Sequence, residues 1–208
     1  NITSSKNALQ KFNSGNCIAF AIFIKDQLKK NYRINSYIIP ASVPEMFRVN
    51  GTRHLTHVSL FIPLSLTEFM IIDPALYFLE PIICNLNITR QQSIMTKNIY
   101  DKSDDKIIYS INHNPNRNLG DNQVLPEDAM SVECYYDKFP EQLWDYYLVE
   151  ISNPDESIGK PFLYLKREPF ITVTKVNYGT NTPELIYNVK FKEDGRLYIK
   201  MKDKDKIK

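Results

Sequence analysis

Between Ile18 and Leu28 only Lys25, Asp26 and Gln27 interrupt an otherwise apolar run. Wound into a helix, that run leaves no wide polar face, so the helix is expected to be buried on nearly every side. The rest of the chain must then supply layers around it. At 208 residues, with 43% hydrophobic and 24% charged side chains, the chain is long and apolar enough to do so. Ser14 is the expected N-cap, and Lys29 and Lys30 follow the run where cations suit the helix dipole. One cysteine, Cys17, stands in the first turn.

The segments that follow read mostly as strands. "RINSYIIPA", Arg33 to Ala41, is β-branched and aromatic and closes on a proline. "SVPEMFRVNGTRHLT" predicts a loop, with Gly51 as its turn signal. His57 to Ile62 and Glu68 to Asp73 predict a hairpin joined by "PLSLT". Asp101 to Asp128 is polar and rich in asparagine, and predicts a long surface excursion. The remainder, 129–208, is β-rich, and its last strands alternate about Asp194-Gly195, a hairpin signal. The expected architecture is α+β in a single domain over 1–208, with the cysteine helix and first hairpin within 1–80.

Charge and cysteine usage narrow the chemistry. Lysine and arginine number 26 against 24 acidic residues, and a net charge of +2 does not suggest a nucleic-acid partner. No apolar stretch is long enough to cross a bilayer, so no membrane partner is expected either. The lysine–aspartate alternation from Lys200 to Lys208 reads as a solvated terminus. Cys17, Cys84 and Cys134 are odd in number, widely spaced and without a CxxC pair. That pattern makes a poor disulfide framework and a poor zinc site, and at least one thiol should be free. Neither a metal nor a permanently bound cofactor is required. The sequence starts at Asn1 rather than methionine, which leaves export open. A cytoplasmic site is slightly favoured, and the sequons at Asn1, Asn50 and Asn87 matter only outside it.

A free thiol at a helix start invites two readings. Cysteine is among the most buried residue types, so Cys17 alone fits packing. A helix N-terminus is also an environment that activates a thiol, and thiol catalysis needs a base plus a group that orients the base. His57 and Asp73 follow forty and then sixteen residues on. If the hairpin closes about Ser65, opposed positions sum to 130, as these two do, which would set His57 and Asp73 face to face. A histidine opening a strand and an Asp-Pro ending one are each commonly structural. The three together, in this order, favour a catalytic site of Cys17, His57 and Asp73. His54 lies outside the strand. Cys84 and Cys134 lack comparable partners and are expected to be structural.

The helix-borne cysteine, "RINSYIIPA", "THVSLFI" and "EFMIIDPA" resemble the core of the transglutaminase-like superfamily, over Ser14 to Ala75. The arylamine N-acetyltransferases, on a related papain-like fold, use the same Cys–His–Asp order. The resemblance implies a papain-like core and an acyl-transfer enzyme with Cys17 as nucleophile, His57 as acid and base, and Asp73 as orienting group. Its substrates would be a small-molecule acyl donor with an amine acceptor, or a peptide, and acetyl-CoA or another acyl thioester would serve as co-substrate. The Arg-Gly-Gly that precedes the acetyltransferase cysteine is absent, as are the glutamate after it and the glycine-rich stretch after the acid. Ser59 stands where transglutaminase-like members usually carry an aromatic. "SGNCIAFA" also resembles the papain cysteine segment and the "DGNC" of ovarian-tumour-type deubiquitinases, whose histidine lies much further along. "HVSLF" resembles the histidine strand of cell-wall peptidases of the NlpC/P60 kind. A thiol peptidase, or a non-catalytic binding module that retains the fold, is the alternative.

Overall fold

A computed structural model describes residues 5–13, 15–45, 55–76, 78, 80–98, 103–119 and 124–150, together with strands at 170–177, 182–191 and 197–201. Where one domain is expected, the chain divides into two compact units, Asn1–Ile158 and Gly159–Lys208.

The first unit opens with helices α1 (Ser5–Phe12) and α2 (Cys17–Tyr32). Eight strands follow: β1 (Tyr37–Ala41), β2 (His57–Pro63), β3 (Glu68–Ile72), β4 (Ile82–Asn85), β5 (Gln92–Lys97), β6 (Asp104–Asn112), β7 (Ser131–Tyr136) and β8 (Phe139–Tyr147). They form one antiparallel sheet in the order β4-β3-β2-β1-β8-β7-β6-β5. The sheet curls until its two ends meet. The Tyr109 hydroxyl of β6 donates to the Ile83 carbonyl of β4 at 2.9 Å, and Phe78 bridges Thr96 of β5. Inside the curl lies the main core, which includes Ile39, Ala41, Ile71, Cys84, Ile107, Val132, Cys134, Trp144 and Tyr146.

Strand patterning follows from which faces are covered. In β6 burial alternates strictly, because one face meets the core and the other meets solvent. In β2, His57, Val58, Ser59 and Leu60 are all buried, because α2 packs on the face turned away from the core. That continuous burial takes in two polar residues, His57 and Ser59, beside apolar Val58 and Leu60.

Several expectations are corrected. Helix α2 buries Ile18, Ala19 and Ala21, yet Phe23 is 45% exposed, so the helix lies on the sheet and is not enclosed by it. Its N-cap is Asn16, whose side chain accepts the Ala19 N–H at 3.0 Å; Ser14 lies outside the described residues. The strand foreseen from Arg33 starts only at Tyr37, because Arg33 adopts φ 58° and ends the helix, its N–H directed at Leu28 and Lys29 carbonyls. The region 101–128 contains β6, whose alternating Asp105, Ile107, Tyr109 and Ile111 outweigh the polar composition around it. The loop foreseen before His57 lies largely outside the described residues. β7 and β8, part of the expected C-terminal portion, belong to the large sheet.

The second unit holds an antiparallel sheet in the order β11-β10-β9, from Phe170–Asn177 (β9), Thr182–Phe191 (β10) and Leu197–Met201 (β11). Phe191 opposes Leu197, so β10 and β11 pair antiparallel, as their alternation foretold; the expected turn at Asp194-Gly195 lies outside the described residues.

Candidate active site

The hairpin of β2 and β3 sets two of the three candidate residues. Its register pairs Leu60 with Ile72 and Pro63 with Phe69, so opposed numbers sum to 132 rather than the 130 expected from a turn centred on Ser65. Pro63 belongs to the strand, and the turn is tied by the Ser65 hydroxyl, which accepts from the Thr67 and Glu68 N–H groups. A shift of one whole pair keeps every side chain on its face. His57 and Asp73 are thereby diagonal neighbours rather than direct opposites, still within reach of each other.

They meet at 2.6 Å, His57 Nε2 to Asp73 Oδ2, with both side chains buried. Asp73 is held from every side. Its Oδ1 accepts the Ala75 and Leu76 N–H groups at 3.0 and 3.2 Å, the local turn that an Asp-Pro favours. The Ser59 hydroxyl donates to the Ile72 carbonyl at 2.7 Å and fixes the strand end just before it.

A fourth residue joins them. Tyr146 of β8, fully buried, donates its hydroxyl to Asp73 Oδ2 at 2.8 Å. Ala41 of β1 is the hinge of this arrangement, paired with His57 on one flank and with Tyr146 on the other. Directly paired residues share a face, and the methyl of Ala41 leaves the Tyr146 ring room to cross β1. Burial, and next to it the Asp73 charge, push the Tyr146 hydroxyl well above its ordinary range, so it serves as a donor. Sequence reasoning missed Tyr146 because nothing local tells that β8 lies beside β1.

Cys17 approaches from the helix side. Its thiol is free and half-buried, and it lies near enough to the His57 ring to act on its charge. Burial by itself would push the imidazole down. The Asp73 charge and hydrogen bond, then the Cys17 hydrogen bond and charge, outweigh it and push His57 up to about 10. The ring is therefore an imidazolium at neutral pH. From solvent inward the order is thiol, imidazole, carboxylate, phenol, and only the thiol is accessible.

The helix start is held closely. A Cβ on Gly15 would lie 2.5 Å from the Ala19 Cβ, so a glycine is needed for the turn that leads into Cys17. Asn16 takes the Ala19 N–H with its side chain and the Phe20 N–H with its carbonyl, leaving Cys17 and Ile18 to lead the helix dipole. Of the other two histidines, His54 lies outside the described residues and His113 is exposed on the surface. Cys84 and Cys134 are buried in the core; burial pushes the Cys84 thiol up to about 12 and Cys134 well above the usual range. Among the described residues no cluster of His, Cys, Asp and Glu is arranged to hold a metal, and no helix is long and apolar enough to cross a membrane.

No family model matches this sequence, and no curated protein matches it. Solved structures do. The arylamine N-acetyltransferase from Mycobacterium abscessus superposes with a TM-score of 0.53 over 95% of this chain, at 11% identity. The fold is that of the arylamine N-acetyltransferases. This chain spans 66% of that structure's length, about two thirds. The M. smegmatis arylamine N-acetyl transferase aligns over 96% of this chain and 69% of its own, with TM-score 0.48 and 12% identity. The fold of the M. abscessus structure accords with the α+β layout found here, a small helical N-terminal region before a large antiparallel sheet.

Proposed function

We propose that this protein is a thiol acyltransferase in which Cys17 is the nucleophile, His57 the proton donor and acceptor, and Asp73 the group that orients His57. In this reading α2 with β1 to β3 is a papain-like core. The observation that carries the proposal is a free, half-buried thiol beside an imidazole that is itself bonded to a buried carboxylate. Structural likeness to acetyltransferases supports the reaction class.

The chemistry balances as follows. The Cys17 thiolate attacks the carbonyl carbon of a thioester such as acetyl-CoA, and the new C–S bond forms as the donor's C–S bond breaks. The departing thiolate takes a proton from the His57 imidazolium. An amine then attacks the Cys17 acyl group; a C–N bond forms, the protein C–S bond breaks, and His57 takes the amine proton. The backbone N–H of Cys17, at the head of α2, is suited to the developing oxyanion.

The test is incubation with acetyl-CoA followed by mass mapping. An acetyl group on Cys17, absent in His57→Ala and released by added amines, is the expected result. A chain that ignores the thioester but is trapped at Cys17 by a peptide aldehyde is a peptidase instead. No reaction of either kind would leave a binding module on this fold.

A further inference from the structure

The two neighbours of β2 leave it at different places. On one flank β1 stays paired as far as His57, which opposes Ala41. On the other, β3 stays paired only as far as Leu60 and Ile72, and Asp73 has already turned away. Continued by one more step, that register would set Ser59 directly opposite Asp73. Instead the Ser59 side chain reaches across, and its hydroxyl donates to the Ile72 carbonyl at 2.7 Å. Ser59 is fully buried and lies two residues from His57, on the same face of β2. The bonds that Asp73 accepts from Ala75 and Leu76 lie within its own turn, and the one from Tyr146 comes from β8. The Ser59 bond ties the exit of β3 to the strand that carries His57.

We propose that Ser59 is a positioning residue: its hydroxyl fixes where β3 leaves β2, and that departure aims the Asp73 carboxylate at His57. Resting on the acyl-transfer reading, this role bears on the reaction at Cys17 without touching the reacting atoms. Diagonal partners depend on such a tie more than direct ones do. Their Cβ atoms lie about 7–8 Å apart, against about 4.5–5.5 Å for direct opposites. A small swing of the β3 end therefore opens the 2.6 Å contact between His57 and Asp73. Water cannot stand in for the lost donor, because the position is sealed from solvent. The same bond accounts for a polar residue where the transglutaminase-like resemblance places an aromatic.

An NMR titration of the imidazole in the full chain, in a Cys17→Ala background, tests this without any substrate. There the His57 midpoint balances burial, which lowers it, against the Asp73 contact, which raises it. Ser59→Ala should lower the midpoint by about one pH unit, a roughly tenfold change in proton affinity. Ser59→Thr, which keeps the hydroxyl, should restore it. With Cys17 in place, Ser59→Ala should slow acetylation of Cys17 by saturating acetyl-CoA about tenfold and leave the half-saturating concentration unchanged. A folded Ser59→Ala chain that is less stable but keeps its midpoint would overturn the proposal, as would an equal fall in Ser59→Thr. If Ser59→Thr fails to fold, the Ser59→Ala midpoint alone decides it. A wild-type chain that acetyl-CoA leaves unmodified overturns the acyl-transfer reading alone, because the midpoint is read without a donor.

Discussion

The Tyr146 hydroxyl and the His57 ring converge on one oxygen of Asp73, at 2.8 and 2.6 Å. Two strands separated by β1 therefore hold the same carboxylate. In Tyr146→Phe the oxygen keeps His57 but loses a donor, in a site where water is excluded. Hydrogen bonds to a charged group contribute roughly 1.5–3 kcal/mol, and a loss of that order should appear in urea unfolding. Alkylation of Cys17 at neutral pH should slow in the same variant, because the imidazole is less firmly aimed. An unchanged alkylation rate would show that Tyr146 only packs.

Proton linkage at His57 has a definite sign. The folded chain holds the ring up at about 10, above its ordinary 6.5. The stabilisation is fully present below about pH 6.5 and is lost as pH rises toward 10. The cleanest measurement uses Cys17→Ala, where Asp73 still holds the ring and the thiol exchanges no proton. Stability should fall between about pH 6.5 and pH 8.5, by at most about 1.4 kcal/mol per unit. His57→Gln in the same background should flatten that slope. The buried thiols of Cys84 and Cys134, held up by burial, add a loss of the same sign as pH approaches their ordinary range of about 8.5, so the difference from His57→Gln, which keeps both, isolates the ring.

Gly15→Ala should disturb the site without touching it. The new methyl would overlap the Ala19 Cβ, and the turn carrying Asn16 and Cys17 would have to move. A loss of roughly 1–3 kcal/mol, the usual cost of overpacking, is expected, with slower Cys17 alkylation. Adding Ala19→Gly removes the overlap and should restore the alkylation rate, although the second glycine itself weakens the helix by about 1 kcal/mol.

The three thiols should separate by accessibility. Iodoacetamide followed by mass mapping should label Cys17 in the native chain, and Cys84 and Cys134 only after unfolding. Both of the latter face the core from β4 and β7. Rapid native labelling of Cys134 would contradict the packing described.

Much of this was legible in the residues, for reasons that are local. The Asp-Pro turn, the two short runs that become β2 and β3, and the cysteine at a helix start are encoded within a few positions each. The hairpin register slipped by one pair because Pro63 extends β2 and the Ser65 side chain closes the turn, details that loop length alone does not convey. The His57–Asp73 contact survived because a two-residue shift preserves the face. Tyr146 was invisible because its role depends on β8 lying next to β1, a contact more than a hundred residues apart in sequence. The burial of α2 was overestimated because hydrophobicity on every side of a helix does not tell how many sides find a partner. Phe23 found none that covers it fully.

Since α2 rests on the outer face of β1 and β2, it can lift away while the curled sheet behind it stays intact. The sulfur would then leave a ring and a carboxylate that remain locked together by the strands. Heating should accordingly silence the thiol chemistry at a lower temperature than the one at which the β-structure melts.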